Sequence, residues 1–343
     1  MLKRKALFNP YSLDTNEIID GDTSNIFILS NSKYEWSKKL YRIMTTNIWF
    51  PESISLQKDK IDYVNLNEDE RFCFDRVLSF LTFLDSIQTN NLPRITDYIT
   101  SPEIISLITV QSFQEVVHSQ SYSYIIDSII PLDKKNSAYQ MWKNDNVLLN
   151  RNKYISDIYE EFSLKPTEKN LYKIIVANYI LESIYFYNGF MFFYSLADKK
   201  SMLGVYDEIR YIHRDELNHV QLFKNIINTL QNTNKNFNKL MPESLITEMF
   251  DNAVKEEIKW TEHLIKKPLL NINKENTELY TKYLANNRLL DINCKPIYSV
   301  VDNPYLYLEK MADLDSLSVK TNFFENSVTN YNLPDAIDGW DLI

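Results

Sequence analysis

Glycine is scarce in this chain, with four in 343 residues, where average usage would place roughly 24. Gly21, Gly189, Gly204 and Gly339 cannot be assembled into a G-x-G-x-x-G fingerprint or a Walker loop, which excludes the usual glycine-built cradles for dinucleotides and nucleoside triphosphates. Cysteine is scarcer still. Cys73 and Cys294 lie far apart, form no C-x-x-C pair, and read as reduced core thiols of a cytoplasmic protein. There is no run of five or six like charges, and the net charge of −9 opposes a nucleic-acid partner, which would call for a basic face. The basic start at residues 1–5 is followed by Phe8, Asn9 and Pro10 rather than a sustained apolar stretch, so no signal peptide is expected.

What is present is enough apolar material for a sizeable core, 44% hydrophobic against 24% charged residues, and a series of helix signals. Asn67-Glu68-Asp69-Glu70 is a capping-box pattern and predicts a helix from Glu68 to about Thr89. Ser101 before Pro102 predicts a second, running to about Ser128. Pro166-Thr167-Glu168 opens a third to about Ala197, and further helices are expected at about Val205–Asn232, Glu243–Lys266 and Glu275–Arg288. Helices of this length predict an all-α protein built as a large bundle. One helical domain is expected over residues 1–311, with segment 1–48 packed on it. The tail 312–343, rich in Asn, Ser and Asp, is expected to be mobile when alone.

Within the third helix, Ile174–Ala197 carries one charge, Glu182. The stretch is long enough to span a bilayer, but Asn178, Ser183, Asn188 and Ser195 interrupt it, and a helix apolar all round is otherwise the central helix of a bundle. A lone glutamate there needs a cation, a metal or a hydrogen-bond network.

The chain has four histidines, and two sit in one arrangement, Glu115-Val-Val-His118 and Glu216-Leu-Asn-His219. Chance placement of these residue types gives roughly 0.26 such pairs. At i, i+3 a carboxylate and an imidazole leave one face of a helix and can share a metal ion. A carboxylate-bridged dimetal bundle needs two such helices and one further carboxylate from each of two others. Glu182 and Asp85, the latter inside Phe80-Leu-Thr-Phe-Leu-Asp85, are acids stranded in apolar runs and complete that set. Ligands rich in oxygen, with one nitrogen per metal, suit iron or manganese better than structural zinc. Tyr122 lies one turn after His118 on the same face. His213 also lies three residues from Glu216, so spacing alone leaves it open, while His263, with no acidic partner at ligand spacing beyond Glu262, is read as structural.

These residues resemble the small (β) subunit of class I ribonucleotide reductase. The resemblance is carried by Asp85, Glu115–Tyr122, Glu182–Phe190 and Arg214–His219, in order and spacing, and by Trp49-Phe-Pro-Glu52, Asp62-Tyr63, Asn303-Pro304 and Asn322-Phe-Phe-Glu325. It implies a ferritin-like bundle, two iron ions (manganese being possible) held by Asp85, Glu115, His118, Glu182, Glu216 and His219, and a stable radical on Tyr122. Phe186, Phe190 and Ile212 would shield that radical. Trp49 resembles the family's relay tryptophan, Asp215 the aspartate that hydrogen-bonds it, and Tyr331 the tail tyrosine that carries the radical to the large subunit. The resemblance also implies a homodimer. Another ferritin-like dimetal oxidase or hydroxylase would share the six ligands but not Trp49, Tyr122 and the tail together. The last residues, 332–343, are acidic yet end in Trp340, Leu342 and Ile343, which reads as a short peptide that docks apolar side chains in a partner groove.

Overall fold

Several of the long helices begin where a side chain or a proline deals with the free N–H groups of the first turn. In the structure, a computed structural model that describes residues 2–28, 32–300 and 302–314, α1 (Glu35–Thr46) and α2 (Gln57–Asn65) lead into α3 (Glu68–Thr96). The Asn67 side chain accepts from the Glu70 backbone N–H at 2.9 Å, and the Asn67 N–H donates to the Glu70 carboxylate at 3.0 Å, which closes the expected capping box. Pro102 occupies the first turn of α4 (Pro102–Ile129), where its missing N–H costs nothing. After α5 (Leu132–Asn144), Asp145 caps α6 (Asn146–Leu164), and Thr167 caps α7 (Glu168–Ile180). Then come α8 (Tyr187–Asp198), α9 (Leu203–Thr233), α10 (Lys235–Leu240), α11 (Glu243–Leu264), α12 (Lys274–Asp291) and α13 (Leu306–Ala312). No strand occurs among the described residues beyond an isolated bridge between Leu269 and Ile272.

Two expected helices differ in detail. The helix starting at Glu68 does not stop near Thr89 but continues through Pro93 to Thr96. The proline removes one ladder bond, while burial of Leu92 and Ile95 on either side of it keeps the segment on the core. The expected helix from Glu168 to Ala197 is interrupted by a π-helical turn, Leu181–Tyr185, and Glu182 lies in that turn. Such turns insert one residue into the α-helical register and are frequent at functional sites. Helices α1, α2, α5, α6, α10 and α13 were not marked by the capping signals.

Every residue from Ile174 to Ala197 is buried, so this segment is the centre of the bundle, with α3, α4 and α9 arranged to aim acids at it. No described helix is long and apolar enough to cross a membrane. The N-terminal segment lies against the bundle: Leu2 N–H donates to the Pro166 carbonyl at 2.8 Å, Thr100 N–H donates to the Ile18 carbonyl at 2.8 Å, and Ile18 and Ile19 are buried. Residues 315–343, which include Tyr331 and the apolar tail end, lie outside the described residues.

Candidate metal centre

Four elements deliver the six sequence-derived ligands to one place: α3 brings Asp85, α4 brings Glu115 and His118, the π-turn brings Glu182, and α9 brings Glu216 and His219. All six are buried. They fall into two groups, Asp85–Glu115–His118–Glu216 and Glu115–Glu182–Glu216–His219, each offering ligand atoms that lie within 4.8 Å of one another. Glu115 and Glu216 belong to both groups. If two ions were bound, Glu115 and Glu216 could serve both, Asp85 and His118 would hold one, and Glu182 and His219 would hold the other.

The imidazoles face the carboxylates through Nδ1. His118 Nδ1 lies 3.1 Å from Glu216 Oε1 and 3.5 Å from Glu115 Oε2. His219 Nδ1 lies 3.0 Å from Glu216 Oε2, 3.2 Å from Glu115 Oε1 and 3.5 Å from Glu182 Oε2. Each Nε2 is held from behind, by Asp215 Oδ2 at 3.4 Å for His118 and by Gln114 Oε1 at 3.0 Å for His219, which fixes ring orientation as outer partners of metal-binding histidines do. Glu182 Oε1 accepts from Gln111 Nε2 at 2.8 Å and from Gln88 Nε2. Gln111 lies four residues before Glu115 and Gln88 three after Asp85, on the ligand faces of their helices. That spacing is a signal for both glutamines that the sequence itself carries.

Four acids cannot all ionise in a dry pocket. Burial, reinforced by the charges of Glu115 and Glu216, pushes Asp85 and Glu182 well above the usual carboxylate range. Burial would do the same to Glu216, but His219, Glu182 and His118 outweigh it and hold that carboxyl low. Burial would lower both histidines, yet Asp215, Glu115 and Glu216 raise His118, and Glu115, Glu216 and Glu182 raise His219. Even so, both oxygens of Asp85 and one each of Glu115 (Oε2), Glu182 (Oε2) and Glu216 (Oε1) make no well-aligned hydrogen bond, their only close neighbours being the two imidazoles, each other and Tyr122. Buried orphan oxygens are rare and costly, and here they converge. Two divalent cations would satisfy them, and the donor set fits iron or manganese.

Around this centre, Tyr122 is fully buried, with the Asp85 carboxyl beside its hydroxyl. Burial, followed by the charges of Asp85, Glu216 and Glu115, raises its pKa well above the ordinary phenol value. Phe186, Phe190 and Ile212 are buried. Trp49 Nε1–H donates to Asp215 Oδ2 at 2.9 Å, and Arg214 donates to Asp215 Oδ1 at 2.8 and 3.1 Å. The Trp49 ring stacks on Tyr211, with centroids 5.2 Å apart, a neighbour the sequence reading did not single out. His213 faces away from the ligands: its Nδ1 pairs with the Tyr194 hydroxyl at 2.8 Å, and burial lowers its pKa to about 3. His263 pairs with Asp145 at 2.8 Å, a partner 118 residues away that spacing could not show.

The comparisons agree with this geometry. The family described as ribonucleotide reductase, small chain, matches residues 26–304. The chain is similar to ribonucleoside-diphosphate reductase subunit beta of Treponema pallidum (strain Nichols), 40% identical over 96% of this chain and 95% of the relative. The corresponding subunit of Halalkalibacterium halodurans is 34% identical over 99% and 98%. Among solved structures, the ribonucleotide reductase R2 subunit from Clostridium botulinum superposes with a TM-score of 0.88 at 41% identity, covering 91% of this chain and 99% of that one. With the matched region enclosing all six ligands and the bundle matching in three dimensions, the chain belongs to the ribonucleotide reductase small-chain family.

Proposed function

We propose that this chain holds two iron ions between Asp85, Glu115, His118, Glu182, Glu216 and His219 and keeps its working radical on Tyr122. Its family is that of the oxidoreductase small subunits of class I ribonucleotide reductase, ferritin-like dimetal proteins that work with a large subunit to reduce ribonucleotides to deoxyribonucleotides. The observation that carries the reading is the convergence of unpartnered carboxylate oxygens on two overlapping ligand groups. When bound, the metal pair supplies the dioxygen chemistry that provides the oxidising equivalent. Manganese fits the same donors, and availability decides between the two.

The chain's own groups do the rest. Tyr122 gives one electron to that oxidising equivalent and its phenolic proton to the side of the neighbouring Asp85 carboxyl, and its burial keeps water and reductants from the radical. Trp49 is the next oxidisable group toward the partner. Its N–H is held by Asp215, which also contacts His118, so indole, carboxylate and imidazole form one continuous hydrogen-bonded line. The tail then docks through Trp340, Leu342 and Ile343 on the large subunit, and Tyr331 passes the radical across. A homodimer and a cytoplasmic site complete the reading, the latter supported by two unpaired buried thiols, Cys73 and Cys294.

The test is electron paramagnetic resonance after adding Fe(II) and oxygen to the metal-free protein. A tyrosyl signal is expected in the unaltered chain and none in Tyr122→Phe. Its absence from the unaltered chain would sink the reading.

A further inference from the structure

Arg151 on α6 and Glu257 on α11 are both fully buried, with Arg151 Nε donating to Glu257 Oε2 at 2.6 Å. Arg151 Nη2 donates to the backbone carbonyl of Tyr185 at 2.6 Å, and Tyr185 is the last residue of the π-turn that carries Glu182. The guanidinium also lies over the Tyr185 ring at 4.3 Å and over Phe80 at 4.5 Å. The other oxygen of Glu257 accepts from Asn188 Nδ2 at 3.0 Å, and Asn188 is the second residue of α8. One ion pair therefore grips both the end of the turn and the helix that leaves it.

Stability alone does not account for this arrangement, because a buried ion pair is commonly no better than well-packed apolar residues of the same volume. The turn supplies a reason. A π-turn holds one residue more than the α register, and an apolar helix without outside support favours the ordinary ladder. Reverting would rotate one side of the turn by about 100° relative to the other. That would carry Glu182 away from Glu115 and Glu216, or α8 away from its packing.

We propose that the Arg151–Glu257 pair is a positioning device that keeps the π-turn open and thereby presents Glu182 to the metal centre. It acts on the ion held by Glu182 and His219 and not on the ion held by Asp85 and His118, neither of which belongs to the turn. The inference rests on the dimetal reading above.

The experiment titrates metal-free protein with Mn(II), counting bound ions per chain and recording the spin-resonance spectrum, which differs between isolated and exchange-coupled ions. The altered chain carries Arg151→Met together with Glu257→Leu, so that no buried charge is stranded and the fold is kept, as circular dichroism would verify. Its first ion should bind as in the unaltered chain. Its second should weaken by about tenfold or more, the usual effect of losing an outer partner, and leave an isolated-ion spectrum. Should the double variant not fold, Arg151→Lys, which replaces the planar fork by a single ammonium, is read in the same way. Two coupled ions at unaltered affinity, or an equal weakening of both, would overturn the proposal. An unaltered chain that binds no coupled pair would instead overturn the dimetal reading on which it rests.

Discussion

The indole N–H of Trp49 donates to Asp215 Oδ2 at 2.9 Å across 166 residues of sequence, and the same oxygen lies 3.4 Å from His118 Nε2. Asp215 thus joins an oxidisable ring near the start of the bundle to a candidate metal ligand in its middle. Arg214, stacked over Tyr211 at 5.1 Å and donating to the other Asp215 oxygen, holds the carboxylate in this orientation.

Replacing the indole while leaving the ligands untouched separates electron transfer from metal binding. Trp49→Phe should bind two ions per chain and form the Tyr122 radical, because no ligand changes. Turnover with the large subunit should fall by more than about 100-fold, equivalent to about 2.7 kcal/mol of barrier. Metal analysis, spin resonance and a deoxyribonucleotide assay on one preparation check all three. Turnover within about tenfold of the unaltered chain would remove Trp49 from the relay.

The sharing of Glu115 and Glu216 by both ligand groups makes bridging and terminal acids distinguishable. Glu182→Ala should lose one ion of the two and stay folded, since it removes an acid and strands no opposite charge in a segment that is buried throughout. Glu115→Ala should weaken both ions. Metal stoichiometry on the two variants decides, and a full pair in Glu182→Ala would contradict the assignment.

Glu208 gives a pH prediction away from the ligands. Burial, partly offset by the hydrogen bond from Ser121 and reinforced by Asp59 and Glu52, pushes its carboxyl from about 4.5 up to about 9. At neutral pH the folded chain therefore holds a proton that the unfolded chain releases. Its contribution to stability is complete below about pH 4.5 and is lost progressively as pH rises towards 9. Glu208→Gln is neutral at every pH and still accepts from Ser121. Its melting temperature relative to the unaltered metal-free chain should rise between pH 5 and pH 8, as calorimetry can follow. A pH-independent difference would show that Glu208 is ionised in the fold.

The tail prediction separates docking from transfer. Removing residues 333–343 should abolish binding to the large subunit while the Tyr122 radical still forms. Tyr331→Phe should bind normally and form the radical, yet reduce no nucleotide, because phenylalanine is far harder to oxidise. A binding measurement beside a turnover assay tests both, and substantial turnover by Tyr331→Phe would assign the relay to another residue.

By itself the sequence determined that the chain is helical, which acids and imidazoles share a helix face, and that Asp85 and Glu182 need partners. These are local properties: capping groups act within one turn, and the i, i+3 spacing of Glu115 with His118 and of Glu216 with His219 follows from helix geometry alone. The pairing of Trp49 with Asp215 was legible through family resemblance, not through any local pattern. Tertiary structure decided everything that depends on which distant helices meet. The membership of Glu115 and Glu216 in both ligand groups, the amides of Gln88, Gln111 and Gln114, the partner of His263 and the Arg151–Glu257 pair all join residues on different elements. The π-turn at Leu181–Tyr185 belongs with them. No local periodicity marks its extra residue, and what surrounds the turn is contributed by α9, α11 and α12, with the side chains of Gln88 of α3, Gln111 of α4 and Arg151 of α6.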